Sequence, residues 1–288
     1  MRAALDLLKR TAYVLVFGGA TALIAVALDA GVDHEVVLVA APLTAALVVL
    51  ALERVIPYEA AWSNRQGDVV TDALHGVVSF GLVPAAYGAS IAIGLVAAGR
   101  ALSDAVGWSL WPSHWPLAVQ GLLALLIAEL GYYVSHRIGH ALLWRLHATH
   151  HSAPRLYWLN VLRFHPLDAL LQLVGHVGPL ALLGAPAPVL ALVVAATSVH
   201  GLLQHSNADL RLGWLNWIFA GPELHRWHHV KDDRAHRNYG QVLAIYDLLF
   251  GTRTLPPERP PADVGLPHPF PSDYLGQLAS PLRRGLFR

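Results

Sequence analysis

Residues 117–151 read LAVQGLLALLIAELGYYVSHRIGHALLWRLHATHH. The stretch opens as an apolar run, 117–134, close to the roughly 20 residues a helix needs to cross a bilayer. It passes directly into five histidines, His136, His140, His147, His150 and His151. A helix that leaves a membrane and delivers imidazoles at its end is the simplest structure with this pattern.

The rest of the chain repeats the apolar theme. Runs at 11–30, 36–52, 77–98, 167–183 and 189–203 are also mostly apolar. Of the 288 residues, 55% are hydrophobic and only 14% charged, against about 25% charged in soluble domains. Six such runs exclude an ordinary soluble domain and indicate an integral membrane protein. The net charge of +1 gives no broad field for nucleic acid. Cysteine is absent, so a metal must be held by His, Asp or Glu. The first run follows Arg2, Lys9 and Arg10 and lacks a small-residue cleavage site, so it is expected to be a retained helix.

Basic residues favour the cytoplasmic side of a membrane. They recur at Arg2, Lys9 and Arg10, at Arg54 and Arg65, at Arg137, Arg145, Arg155 and Arg163, and from Arg211 to Arg237. Both termini and the histidine-rich segments are therefore expected on one cytoplasmic face, in a bacterial inner membrane. Trp108, Trp111 and Trp115 suit the headgroup level at the other end of the third run. The fifth and sixth runs, joined by GAPAP, form a hydrophobic hairpin, either deep or fully spanning. Three divisions are expected: an N-terminal membrane hairpin at 1–66, a metal-binding domain with membrane helices at 67–255, and a Pro/Arg-rich tail of little regular structure at 256–288.

Further histidines lie at His205 and in ELHRWHH, at His225, His228 and His229. At about 100° per residue, a continuous helix would hold His136, His140, His147, His150 and His151 within an arc of roughly 100°. His225, His228 and His229 share a face by the same reckoning. Single histidines are usually hydrogen-bonded core residues. Crowded imidazoles repel one another when protonated, and a metal removes the conflict because neutral imidazole is a ligand for iron, zinc and copper. Nine rings exceed one ion's four to six ligands, so two ions are expected. The HExxH pattern of zinc proteases is absent, since position 137 is Arg.

HRIGH, HATHH and HRWHH resemble the HxxxH, HxxHH and HxxHH boxes of the integral-membrane fatty acid hydroxylase/sterol desaturase superfamily. ERVIPYEAAW (53–62), RFHP (163–166), QHSN (204–207), NYG (238–240) and DLLFGT (247–252) are similar to further landmarks of that family, in its order. The likeness covers about 50–255. It implies an all-α fold: a polytopic membrane helix bundle of four spanning helices plus the hairpin, under a cytosolic histidine-rich helical cap. It also implies an enzyme with two iron ions and O2 as cosubstrate, hydroxylating or desaturating a lipid such as a sterol, fatty acyl chain or carotenoid. By the same resemblance the ligands are His136, His140, His147, His150, His151, His205, His225, His228 and His229.

Other residues stay open. His200, five positions before His205, is turned about 140° from it and binds only if the helix is irregular. His165, Asp233 and His236 either orient ligand rings or serve the surface and its turns. His75 and His176 lie in apolar runs and are either buried hydrogen-bond partners or cavity-lining groups. Asp232 and Asp233 either accept ring N–H groups or pair with Lys231 and Arg234. Asp247 is expected to hold the C-terminal segment structurally. Electrons must come from outside, from a ferredoxin, cytochrome or reductase, because the sequence carries no cysteine cluster and no GxGxxG. The competing readings are a zinc-dependent membrane hydrolase and a metal-binding transport protein.

Overall fold

The computed structural model describes residues 1–287. Every apolar run is helical. Helix α1 spans Arg2–Asp29 with one wide turn at Val14–Gly18, and α2 spans His34–Val55. Helix α3, Val69–Tyr87, is followed without loss of helical backbone by α4, Ala89–Val106. Then come α5 (Leu117–Ala141), α6 (Trp144–His151), α7 (Pro166–Leu182), α8 (Ala187–His205) and α9 (Pro222–His228). Two short helices, α10 (Ile245–Leu249) and α11 (Tyr274–Leu278), follow. Among the described residues there is no strand, only isolated bridges.

Local chemistry sets the starts. Asp33 accepts the Glu35 N–H ahead of α2. Pro166 and Pro222 open α7 and α9 at positions where a missing N–H costs nothing. Pro116 and Pro186 stand in extended conformation just before α5 and α8. The sequence pictured 136–151 as one straight helix; the structure instead ends α5 at Ala141 and turns through Leu142 and Leu143 into α6. The two boxes therefore face each other across a corner.

Among the described residues, five helices are long and apolar enough to cross a membrane: α1, α2, α3, α5 and α8. Helix α7 is apolar but only 17 residues long. The expected hairpin is thus unequal, and its second arm is the axis of the bundle. The apolar window of α8 is 72% buried, against 22–33% for the other four. It packs on α1, α2 and α5. Outward side chains such as Leu15, Leu23, Leu43, Leu47 and Leu122 are exposed, as lipid contact requires. Small residues bring α5 and α7 together: a Cβ on Gly131 would lie 1.9 Å from the Gly175 carbonyl oxygen, so only glycine permits this approach.

The histidine ends of α5 and α8 gather the connecting segments. Lys9 pairs with Asp209 at 2.7 Å, and Glu53 at the end of α2 accepts the N–H groups of Trp158 and Asn207. The tail is irregular over much of its length, yet it straps this end. Val264 bridges to Val230, the buried Gln277 side chain meets His75, and the Leu278 carbonyl meets His165. Both ends of the described chain lie on the histidine side of the bundle.

One cap segment runs deeper than its sequence suggests. The backbone of Gln241 and Val242 donates to buried Glu129 on α5 at 2.6 and 2.9 Å. Tyr246 donates its hydroxyl to the Leu126 carbonyl, and Phe250 stacks on Tyr133. Leu126 lies about 15 Å along the α5 axis from His136, within the spanning part. Residues 239–250 therefore lie along the apolar part of α5, with Leu249 and Phe250 exposed.

This depth is measurable because the chain has no cysteine. In open membrane fragments, Leu249→Cys should resist a charged maleimide until detergent is added, while Asp233→Cys reacts at once. Equal labelling of the two would place 239–250 in water.

Candidate metal centre

The eight boxed histidines and His205 are all buried and sort into two groups. His136, His140, His147, His151 and His228 form one, and His150, His205, His225 and His229 form the other. Within each group one nitrogen per ring lies within 4.8 Å of all the others. Helical spacing explains the sorting. Residues i and i+4 share a stripe, so the pairs 136/140, 147/151 and 225/229 each stay together. His150 and His228, one position before a pair's second member, are turned about 100° and serve the neighbouring group. The groups adjoin, with His151 and His229 stacked at 4.6 Å between ring centroids.

Acceptors behind the rings fix how they point. His136 Nδ1 donates to the Tyr239 carbonyl at 2.8 Å, His147 Nδ1 to Asp168 Oδ2 at 2.8 Å, and His228 Nδ1 to the Arg237 carbonyl at 2.6 Å. His150 Nδ1 faces the Arg163 carbonyl at 3.3 Å. His205 Nδ1 donates to Asn160 Oδ1 at 3.1 Å, and Asn160 is oriented because its Nδ2 donates to the Arg155 carbonyl. A neutral imidazole has one donor and one acceptor nitrogen. With Nδ1 donating outward, each Nε2 is a bare lone pair aimed inward.

Those lone pairs face each other. His136 and His147 Nε2 are 3.2 Å apart; the His205 lone pair lies 2.8 Å from Nε2 of His225, a ring with no acceptor behind it among the described residues. Buried lone pairs at hydrogen-bond distance without a proton between them repel, and a cation held by both relieves the repulsion. His151, His225 and His229 each keep an Nδ1, and His228 an Nε2, with no hydrogen-bond partner. An all-nitrogen donor set suits iron, zinc or copper and not magnesium or calcium. The residues present fit two metal ions.

Burial, then the neighbouring rings, hold His150, His151, His225 and His228 well below the usual histidine range, and His229 likewise. They are neutral at pH 7, the state that binds metal. Aromatic walls keep water out: Phe164 stacks on His150 at 4.1 Å, and Trp144 lies against His140 and His151.

The remaining candidates fall in different places. His236 sits at the exposed rim, its Nδ1 3.1 Å from the outer nitrogen of His140. His200 belongs to neither group; α8 is regular through His205, so His200 faces α1, edge-on to Tyr13 and Phe17. His165 caps α7 by accepting the Leu167 N–H. Asp233 is exposed and, among the described residues, accepts from no imidazole, while Asp232 pairs with Arg234. His75 meets Gln277, and His176 packs against Tyr132. Buried Asp247 accepts from the Tyr239 and Gly240 N–H groups and the Thr252 hydroxyl, which sets the carbonyl that backs His136.

Sequence reasoning missed Asp168, Asn160 and Arg226. Asp168 stands in the first turn of α7, where an acid is favoured by the helix dipole alone, so its type gave no separate signal. Buried Arg226, inside HRWHH, donates to the Ser206 and Ala208 carbonyls and ties α9 to the end of α8.

A family model for fatty acid hydroxylase matches residues 121–252. The ornithine lipid hydroxylase OlsE of Rhizobium tropici is 40% identical over 248 residues, which are 84% of this chain and 74% of that protein. An alkylglycerol monooxygenase of Danio rerio is 33% identical over 162 residues, 55% of this chain but only 34% of the relative. A putative Delta(7)-sterol-C5(6)-desaturase of Arabidopsis thaliana is 30% identical over 140 residues, 46% of this chain and 48% of the relative. No solved structure matches.

Two outcomes are expected. Asp168→Asn removes the charge behind His147 and should weaken metal retention by about 10–100-fold in chelator competition. In metal-stripped protein, the unfolded chain takes protons near pH 6.5 while the buried rings refuse them. Stability should therefore be flat above that pH and fall as pH drops below it, read as a lower thermal midpoint at pH 5 than at pH 7.5.

Proposed function

Because the chain belongs to the fatty acid hydroxylase/sterol desaturase superfamily, we propose that it is a membrane-bound di-iron enzyme that uses O2 to hydroxylate an unactivated C–H bond of a lipid. The observation that supports this most is the pair of adjoining groups, five and four buried imidazoles, at the ends of membrane-length helices. Bound iron would supply the means to activate O2: two outside electrons and two protons reduce one oxygen atom to water, and the other enters the substrate as an alcohol. Removal of a second hydrogen instead gives an alkene, as the name of the desaturase relative suggests.

The protein's own residues set the conditions. His136, His140, His147, His151 and His228 would hold one ion, and His150, His205, His225 and His229 the other. Asp168, Asn160 and the carbonyls of Tyr239, Arg163 and Arg237 keep Nδ1 protonated, so that Nε2 stays free for metal. His236 is suited to orient His140 from the rim. Phe164, Trp144 and Tyr239 exclude water around the rings, which protects a reactive oxidant from quenching. Lipid substrates reach such a site from the bilayer, and the relatives named for ornithine lipid, alkylglycerol and sterol all act on molecules of that kind. The electrons come from a separate ferredoxin, cytochrome or reductase. The histidine end is assigned to the cytoplasm on its arginines.

A zinc hydrolase finds less support, since both groups contain imidazoles alone and Asp168, the acid beside them, is committed to His147. Metal transport finds less again, because the rings cluster at helix ends and not along the spans.

Purified protein should contain two irons per chain and, with a reducing system, consume O2 while a bilayer lipid gains one oxygen atom. His228→Ala should lose iron and turnover yet remain membrane-inserted. Zinc in both positions, with turnover independent of O2, would sink the proposal.

A further inference from the structure

Away from the histidines, a cavity of about 250 Å3 opens between the last turn of α2 and the first turn of α3. Its apolar side is formed by Leu50, Val69 and Leu159, and its polar side includes Arg54 and Arg65. Trp62 and Trp158 stand between them. The cavity lies at the histidine end of two spanning helices, which is the headgroup level on that side.

The charges on its wall are not equivalent. Arg155 is already neutralised by Asp68, through contacts at 2.6 and 2.9 Å. The carboxylate on the wall, Glu53, is taken up by the backbone N–H groups of Trp158 and Asn207. Arg54 makes only a 3.5 Å contact to the Leu50 carbonyl, and among the described residues neither Arg54 nor Arg65 forms an ion pair. Two free guanidiniums thus share a concave site with indole walls. Guanidinium forks suit carboxylate and phosphate oxygens.

We infer that this cavity seats the acidic headgroup, phosphate or carboxylate, of a membrane lipid. A lipid fits better than a soluble anion because an apolar track continues into the bilayer below the arginines. Leu47, Val70 and Val77 on α2 and α3 are all more than half exposed, which gives an acyl chain a surface to follow. The floor of the seat is Trp158–Leu159, the start of the turn that carries Asn160. Asn160 is the acceptor behind His205, and Arg155 on the wall supplies the carbonyl that orients Asn160. A headgroup in the seat therefore rests one residue from a side chain that sets a ring of the second histidine group. Taken with the proposed lipid oxidation, this makes lipids with an acidic headgroup the favoured substrate class; that last step rests on the functional reading, whereas the seat itself does not.

The test is binding without turnover. The full chain is reconstituted in nanodiscs of phosphatidylglycerol and phosphatidylcholine, and co-retained lipid is identified by native mass spectrometry. Wild type should retain phosphatidylglycerol over phosphatidylcholine by on the order of tenfold. Arg54→Gln with Arg65→Gln should bring the ratio close to one. Arg54→Lys with Arg65→Lys should preserve most of it, and Arg2→Gln with Arg283→Gln, an equal loss of charge elsewhere, should leave it unchanged. Absence of preference in wild type, or its survival in the double Gln variant, overturns the seat. So does displacement of the lipid by millimolar inorganic phosphate, which would make the site one for a free anion. If the protein proves to hold no iron or to ignore O2 while this preference persists, the seat stands and the oxidative reading fails.

Discussion

Nine imidazoles buried face to face form the constraint on which this architecture turns. Where both Nδ1 groups are committed behind the rings, as at His136 and His147, lone pairs 3.2 Å apart repel, and burial opposes relief by charging the rings. The protein must hold such rings from behind and leave the front to a cation. The backing comes from several parts of the chain: Asp168 from α7, Asn160 and the Arg163 carbonyl from the loop before it, and the Arg237 and Tyr239 carbonyls from the segment after α9. The rings sit on α5, α6, α8 and α9. A site assembled from so many elements explains why the connecting loops are anchored by buried polar contacts where ordinary loops would be mobile. Arg163 to Asp72, Arg226 to the Ser206 and Ala208 carbonyls, and Asp247 to the Tyr239 and Gly240 amides all do this work.

The membrane supplies the second constraint. With lipid outside, apolar burial cannot by itself choose which helices pack together. Close approach at Gly131 and Gly175 selects the α5–α7 pair, and the near-complete burial of α8 makes it the axis. Because α5 and α8 both end in histidines of these groups, the packing that orders the bundle also sets the separation of the rings. Fold and site are one problem in this chain. The strap of 256–287 closes it from the aqueous side, where the His229 carbonyl accepts the Gly265 N–H.

The nine ligand candidates could be read from sequence because metal chemistry demands one residue type at helical spacing, and His136 to His151 and His225 to His229 display both. The division into groups of five and four follows from the same spacing once i and i+4 pairs are kept together. The acceptors behind the rings could not be read. Three are backbone carbonyls, which every residue has, and Asp168 looks like any acid in a first turn. The corner at Leu142 was also hidden, since no Pro or Gly marks it, and a straight helix through 136–151 satisfied the same periodicity. Apolar runs identified the helices but not their roles. Mean hydropathy gives nearly equal signals for α8, at 1.6, which is mostly buried, and for α3, at 1.5, which is mostly not.

Residues 239–250 show how position along α5 bears on chemistry. A cap resting wholly in water would force a lipid to leave the bilayer to reach the metals. Glu129 and Leu126 instead draw this segment down beside α5 through hydrogen bonds to Gln241, Val242 and Tyr246. Tyr239, at its start, gives the carbonyl that fixes His136, while Phe250, at its end, stacks on Tyr133 inside the apolar layer. The same dozen residues thus touch a ligand ring at one end and face the lipid zone at the other. The depth of this segment along α5 and the orientation of His136 are therefore set together, by one run of hydrogen bonds.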